Sequence, residues 1–237
     1  MNDRIKGLVL SVNDYRENDL ILQIISEDKS FLSLIAKGAK KIAATRHFSA
    51  LCIYEFIIDY KDNRTIYTVH NAKLLKSYYD DSDLQMLSYK NILCELCLKS
   101  RELYEPRMYE NICLSLEELD RDRMYLIGSL FVSYLLKLYG IYPNVDECVV
   151  CGKEKVVGIS KKLGGFLCLE HLGQEEAVGV DRLKKFRLIN KADFDKLSYI
   201  RDVEYDLNDF SLIMDFFIEN SDLNIRSYRL YRDLFLQ

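Results

Sequence analysis

Short apolar runs follow one another closely in the first third of the chain. The runs are IKGLVLSV, DLILQIIS, SFLSLIAKG, LCIYEFIIDY and TIYTVH, with the turn-prone segments NDYREND, EDKS and KDNR among them. Runs of this length and composition predict β-strands. Five strands with no helical period between them favour a small closed barrel, because closure removes exposed sheet edges. The OB-fold is the five-stranded barrel that fits this pattern.

The apolar spacing changes from Ser82 onward to three and four residues, which predicts amphipathic helices. The segments with this spacing are SYKNILCELCLKSRELY, YENICLSLEELD, DRMYLIGSLFVSYLLKLYG, RLKKFRLIN, ADFDKLSYI and DLNDFSLIMDFFIEN. The predicted fold class is therefore α+β and multidomain. We expect an OB-fold domain at 1–80, a mainly helical domain at 81–147 and 174–237, and an inserted Cys3His zinc module at 148–173.

The composition is that of a globular protein, with 49% hydrophobic and 30% charged residues and only 2 Pro. The most apolar run, MYLIGSLFVSYLL, has about 13 residues where a membrane span needs roughly 20. The first residues lack the pattern of a secretory signal. An odd number of cysteines, 7, without such a signal favours reduced thiols, so we expect a cytoplasmic location.

The net charge of −4 argues against a surface that binds nucleic acid everywhere, but the charges are unevenly distributed. No Asp or Glu occurs from Lys29 to Tyr54. The segment AKGAKKIAATRHF within this stretch carries four of its basic residues, Lys37, Lys40, Lys41 and Arg46. We expect these four side chains to form the DNA-binding site of the barrel, since OB-fold loops and strands follow single strands of nucleic acid.

Aromatic residues near this basic segment are candidate platforms for stacked bases. They are Phe31, Phe48, Tyr54 and Tyr60. The alternative is a solvated basic loop with the aromatic rings in the core, and the alternation of Tyr54, Phe56 and Ile58 places at least one of these rings there.

Cysteine and histidine form two tight pairs in the segment CVVCGKEKVVGISKKLGGFLCLEH. Cys148 and Cys151 are separated by two residues, and Cys168 and His171 repeat that spacing after sixteen residues. This arrangement is typical of a structural zinc site. VVGIS and GFLCL read as strands of a hairpin that returns the second pair to the first, and Lys153, Lys155, Lys161 and Lys162 can balance the thiolate charge.

Two other interpretations of the module stay open. A redox Cys-x-x-Cys normally opens a helix, whereas here Gly, Lys and a strand follow. A catalytic zinc keeps one position free, whereas this module offers four ligands. The pair Cys94 and Cys97 lies within a predicted helix and is interpreted as buried thiols. No catalytic motif is evident, so we expect no enzyme.

Three segments together resemble the RecO family of bacterial recombination mediators over nearly the whole chain. GLVLSVNDYRENDLILQIISEDKSFLSLIAKGAKK is similar to that family's opening strands. LLKLYGIYPNVDECVVCG with GGFLC resembles its zinc module, and LNIRSYRLY resembles its C-terminal segment. The chain departs from the family pattern at EDKSF, at IAAT after KGAKK, and in having His171 where some relatives have Cys.

The resemblance implies an OB-fold, a helical domain and a structural zinc ion. It also implies binding to single- and double-stranded DNA, annealing of complementary strands, and contact with the C-terminal tail of the single-strand-binding protein. With RecR as partner, such proteins help to load RecA, so the resemblance implies a bacterial, nucleoid-associated protein. The competing hypothesis is a protein–protein adaptor with a structural zinc and no direct DNA binding, which the net acidity favours.

Overall fold

A five-stranded closed barrel forms the N-terminal part of the computed structural model, which describes residues 3–28, 30–41, 47–61 and 64–235. Its strands are β1 (Asp3–Tyr15), β2 (Asp19–Ser26), β3 (Ser30–Ala36), β4 (Cys52–Ile58) and β5 (Ile66–Ser77). They close in the order β1-β2-β3-β5-β4, with only the β3–β5 pair parallel. This topology confirms the predicted OB-fold barrel.

Alternation along the strands explains which side of the barrel each residue faces. In β3, Leu32, Leu34 and Ala36 are buried, while Ser33 and Ile35 between them are partly exposed. Successive strand residues point to opposite faces, so the inward positions of all five strands combine into one core. That core includes Val9, Leu22, Leu34, Phe56 and Val69.

Seven α-helices lie in the part of the chain that the structure describes. They are α1 (Leu84–Lys99), α2 (Arg107–Glu118), α3 (Met124–Leu138), α4 (Val180–Lys191), α5 (Leu197–Ile200), α6 (Leu207–Ser221) and α7 (Arg226–Phe235). The Asp83 carboxylate accepts a hydrogen bond from the Met86 amide and so caps α1. The predicted helix in ADFDKLSYI is shorter than expected: a 3-10 turn at Phe194–Lys196 leads into the four-residue α5.

The chain divides into two compact units, residues 1–117 with 225–237 and residues 118–224. In the first, α7 packs on α1, where the rings of Tyr89 and Tyr231 lie 5.5 Å apart. In the second, α3 packs against α4 and α6. The domain boundaries expected from the sequence stay a prediction about which segments fold independently. None of the helices in the described ranges is long and apolar enough to cross a bilayer.

Candidate metal centre and nucleic-acid interface

Two tight turns present the cysteine and histidine side chains of the module. After Cys148, the Gly152 amide donates to the Cys148 carbonyl at 2.8 Å, and Gly152 has a φ of +72°. A left-handed φ is the conformation that glycine adopts without strain. In the second turn, the His171 amide donates to the Cys168 carbonyl at 3.1 Å. Each turn thus places its two donor side chains on the same side of the backbone.

A short hairpin brings the two turns together, as the sequence predicts. Strand β6 (Gly158–Ser160) pairs antiparallel with β7 (Gly165–Leu167). The hairpin is held from outside by Asn144, whose carbonyl accepts from the Phe166 amide at 2.8 Å. Gly165 is required here, because a Cβ at this position would lie 2.5 Å from the Asn144 carbonyl oxygen.

The four donor atoms of Cys148, Cys151, Cys168 and His171 all lie within 4.8 Å of one another. The Sγ atoms of Cys151 and Cys168 are 3.7 Å apart, and His171 Nδ1 is 3.3 Å from Cys168 Sγ. Tetrahedral zinc requires separations of about 3.8 Å between sulfurs and about 3.6 Å between sulfur and nitrogen. The donor set therefore fits a metal ion of that size and geometry, and it can hold one.

Backbone amides prepare one of these thiols for metal binding. Burial acts to raise the pKa of Cys148, but hydrogen bonds from the backbone of Cys168, Val150 and Cys151 lower the pKa to about 6. A thiolate, and not a thiol, is the form that binds a metal. The protein backbone therefore already favours the ligand form of this side chain.

The lysines expected to balance the thiolate charge are partly engaged elsewhere. Lys153 Nζ lies 2.6 Å from Glu170 Oε1, and Lys161 Nζ lies 3.7 Å from Asp215 Oδ2. The pKa of Lys153 is raised, chiefly by the hydrogen bond to Glu170 and additionally by the charges of Cys151 and Cys168. The Lys153 ammonium group therefore interacts with both the Glu170 carboxylate and the cysteine sulfurs. Lys161 instead pairs with Asp215 of α6, outside the module.

The second cysteine pair is buried in the first unit. Cys94 and Cys97 belong to α1, and both have less than 3% of their surface exposed. Burial raises the pKa of Cys94 to about 12 and that of Cys97 as well. They are therefore protonated thiols that pack as small apolar side chains. Within the described ranges, only Cys148, Cys151, Cys168 and His171 form a group with metal-binding geometry.

The basic segment begins where β3 ends and is attached to the β1–β2 turn. The Gly38 amide donates to Asp19 Oδ1 at 2.8 Å, and the Lys40 amide donates to the Asn18 carbonyl at 3.0 Å. Lys37, Lys40 and Lys41 are all exposed. The fourth predicted residue, Arg46, lies outside the described residues. The fold therefore brings three predicted basic side chains to one end of the barrel.

An acidic partner that the local sequence does not reveal lies beside this segment. Asp14, near the end of β1, places Oδ2 2.7 Å from Lys40 Nζ. The sequence around the lysines contains no acidic residue and predicts that none of them is neutralised, which is wrong for Lys40. Asp14 is opposite Leu20 in the β1–β2 pair, and Leu20 is opposite Ala36 in the β2–β3 pair, so Asp14 lies near the end of β3. Lys37 and Lys41 form no ion pair with any described residue.

Two of the four candidate stacking platforms lie inside the barrel. Phe48 and Tyr54 are 9% and 5% exposed, and their rings are 5.5 Å apart. They are core residues and not available to bases, and Phe56 beside them is fully buried. Phe31 and Tyr60 are partly exposed. Tyr60 stacks on Tyr67 at 4.9 Å.

Comparisons with known proteins match almost all of this chain. The family model "Recombination protein O N terminal" matches residues 1–78, and "Recombination protein O C terminal" matches residues 81–221. Relatives named "DNA repair protein RecO" include one from Exiguobacterium sibiricum, 28% identical over 244 residues, which cover 99% of this chain and 98% of the relative.

Two further relatives carry the same name. The protein from Listeria welshimeri is 22% identical over 242 residues, covering 98% of this chain and 94% of the relative. The protein from Lactobacillus acidophilus is 29% identical over 184 residues, covering 73% of this chain and 72% of the relative.

Proposed function

This chain belongs to the recombination protein O (RecO) family of DNA repair and recombination proteins, and on that premise we propose that it is a non-enzymatic mediator that binds single- and double-stranded DNA. The observation that carries the proposal is the OB-fold barrel with Lys37 and Lys41 exposed and without ion pairs among the described residues. Basic side chains at the end of such a barrel are suited to DNA phosphates. A nucleoid-associated location in a bacterial cell belongs to the same proposal, since DNA would be the ligand and the relatives named above are bacterial proteins.

The proposed mechanism is electrostatic. Lys37, Lys40, Lys41 and Arg46 hold phosphates, so the negative charges of two strands are shielded within one complex. The base edges remain free to pair, and complementary strands anneal without a nucleotide cofactor. Lys40 is the weakest contributor, because its ammonium group already contacts the Asp14 carboxylate.

We further propose that the metal ion is zinc and that its role is structural. Cys148, Cys151 and Cys168 would bind it through Sγ and His171 through Nδ1, the nitrogen that faces the sulfurs. Four protein ligands complete a tetrahedral shell, so the ion supplies stability and leaves no position for a substrate.

The proposed partners follow from family membership. Working with RecR, the protein would help RecA to load onto strands that are coated by single-strand-binding protein, and it would contact the C-terminal tail of that protein. DNA binding and annealing alone do not displace a protein that coats the strand. Recruitment of this protein by the single-strand-binding protein is therefore included in the same proposed function.

Fluorescence anisotropy of a labelled single strand across a salt series tests the DNA-binding proposal. The test variant carries Lys37→Glu, Lys40→Glu, Lys41→Glu and Arg46→Glu. The matched control makes the same change in net charge at four exposed basic residues of the other unit that lie outside the cysteine module, Arg121, Lys184, Lys191 and Lys196. We expect wild type and control to bind with a steep negative salt slope, and the test variant to lose about 0.7 of slope per phosphate contact.

A protein–protein adaptor remains the second candidate, and the net charge of −4 and the Asp14–Lys40 ion pair favour it. Absence of wild-type binding to single strands at low salt would support the adaptor. Equal binding by test variant and wild type would move the DNA site away from the basic segment. Annealing is measured separately with two labelled complementary strands in the absence of ATP.

A further inference from the structure

A groove opens on the barrel where β3 and β5 separate. Their parallel pairing extends only from Ser33 and Ile66 to Ile35 and Thr68, whereas β3 begins three residues earlier, at Ser30. The first residues of β3 therefore pair with β2 alone. The space beside them is a groove of about 350 Å³, lined by the start of β3, by Arg64 and Thr65, and by Arg101 and Glu102. This volume is at the lower end of the range for small-ligand sites.

Two guanidinium groups line the groove. Arg64 is 46% exposed and Arg101 is 58% exposed at the side chain. Each is paired with a carboxylate, Arg64 with Asp59 at 2.6 Å and Arg101 with Glu102 at 3.1 Å. Ion pairs at this exposure contribute little stability, so another anion can readily replace the carboxylate beside each arginine. A guanidinium pair is suited to a phosphate, because each group presents a fork of donors.

The groove-lining side chains from β2 and β3 are uncharged, and one of them is aromatic. Phe31 points outward from β3 and is fixed edge-on by Tyr104, with ring centroids 5.9 Å apart. Beside it, Ser33 Oγ donates to Gln23 Oε1 at 2.9 Å, which orients the Gln23 amide. A fixed, partly exposed ring is a platform for a flat heterocycle, and a side-chain amide can donate to its edge.

Outward positions of three strands extend along the barrel from the groove toward the basic segment. Outward positions between them are Ile21 and Gln23 on β2, Ser33 and Ile35 on β3, and Ile66 and Thr68 on β5. None of these side chains is charged. Since a strand rises about 3.3 Å per residue, Phe31 and Lys37 are separated by about 20 Å along β3. An extended chain with charges at regular intervals can thus follow this face.

We propose that this groove binds one nucleotide of a single DNA strand, whose phosphate lies between Arg64 and Arg101 and whose base stacks on Phe31. The strand continues over the uncharged outer face to Lys37 and Lys41. This subsite rests on the proposed DNA-binding function. It favours single strands, because only an unpaired base can stack on a protein ring.

Affinity for a labelled oligothymidine across a salt series tests the subsite in the full chain. Replacing Arg64 and Arg101 together by Ala should flatten the salt slope by about 0.7 for the phosphate lost. Phe31→Leu keeps an apolar contact with Tyr104 but removes the stacking surface, and should weaken binding about 5- to 100-fold. Melting temperatures are measured for each variant to confirm folding.

Matched controls on the same barrel unit separate the groove from general effects. Arg4→Ala removes an exposed arginine that is likewise ion-paired, with Glu55 at 3.3 Å, and Tyr79→Leu removes a 47% exposed ring. Both lie outside the groove lining, so we expect wild-type affinity. As a second readout, oligothymidine carrying 5-iododeoxyuridine should photocrosslink to the peptide containing Phe31.

Two results overturn the subsite, and they are distinguishable. If wild type binds single strands while the groove variants bind equally well and crosslinks map elsewhere, the groove is not the nucleotide subsite, although the protein still binds DNA. If wild type binds no single strand at low salt, both the subsite and the proposed function fail.

Discussion

Removing one metal ligand should unfold the zinc module locally without unfolding the barrel. The perturbation is Cys151→Ala, which deletes the exposed thiol of the first turn. The module has few contacts of its own: its two strands have three residues each, and its buried cluster is Cys148, Leu167 and Cys168. Its main packing on the rest of the unit is through Phe166, which contacts Phe186 of α4. Isolated two-stranded hairpins are marginally stable at best. We therefore expect the order of residues 148–171 to depend on a metal ion held by the four candidate ligands.

The magnitude follows from linkage between binding and folding. A metal present at a thousand times its dissociation constant stabilises the bound state by about 4 kcal/mol. Loss of that term should lower the hydrogen-exchange protection of the module by up to about 1,000-fold. The reporter amides are Phe166, which donates to Asn144, and Val157, which donates to Leu167. The Leu51 amide, which donates to Val9 in the barrel unit, should keep its protection.

The assay combines elemental analysis with hydrogen exchange read by mass spectrometry. Val150→Ala is the matched control, because Val150 lies in the same turn, is 53% exposed and offers no ligand. We expect about one zinc per chain in wild type and control, and much less in Cys151→Ala. Full zinc in Cys151→Ala, or loss of zinc with unchanged protection of Phe166, would refute the reasoning.

Three further predictions address packing and charge. Gly165→Ala should lower stability by about 1–3 kcal/mol in thermal unfolding, because its Cβ would clash with the Asn144 backbone. Gly179→Ala, whose Cβ has no neighbour within 4 Å, should cost less, since it only weakens the N-cap of α4. Asp209→Asn should cost about 2–3 kcal/mol in urea unfolding, since this buried carboxylate pairs with Arg182 and Lys185 and completes a capping box; an unchanged midpoint would contradict this. Asp14→Asn should free Lys40 and raise single-strand affinity about 1.4- to 5-fold in anisotropy titrations, and weaker binding would argue against a phosphate contact by Lys40.

The metal centre is the part of the candidate site that local sequence predicts best. All four ligands lie within one segment of the chain, and the two turns and the hairpin that unite them are short. Their geometry depends on residues a few positions apart, such as Gly152 after Cys151. The anchoring of the hairpin is less local, because Phe166 also packs against Phe186 of α4.

The nucleic-acid surface is predicted less well because it is assembled from distant segments. A count of charges along the chain identifies Lys37, Lys40 and Lys41, but it does not place Asp14 beside Lys40. The same limit applies to Phe48 and Tyr54, which are candidate stacking residues in sequence and core residues in the barrel. The groove combines side chains from β2, β3, the β4–β5 loop and the turn after α1, and no motif indicates that combination.

By itself, the sequence determined the order of the elements, the inward faces of the strands and the four candidate metal ligands. These properties follow from side-chain alternation, helical period and short spacing, which act over a few residues. Only the tertiary structure decided which charges meet, which rings are buried and where β3 and β5 part. Those outcomes depend on strand pairing between residues far apart in the chain, because closure of the barrel fixes the neighbours of all five strands together.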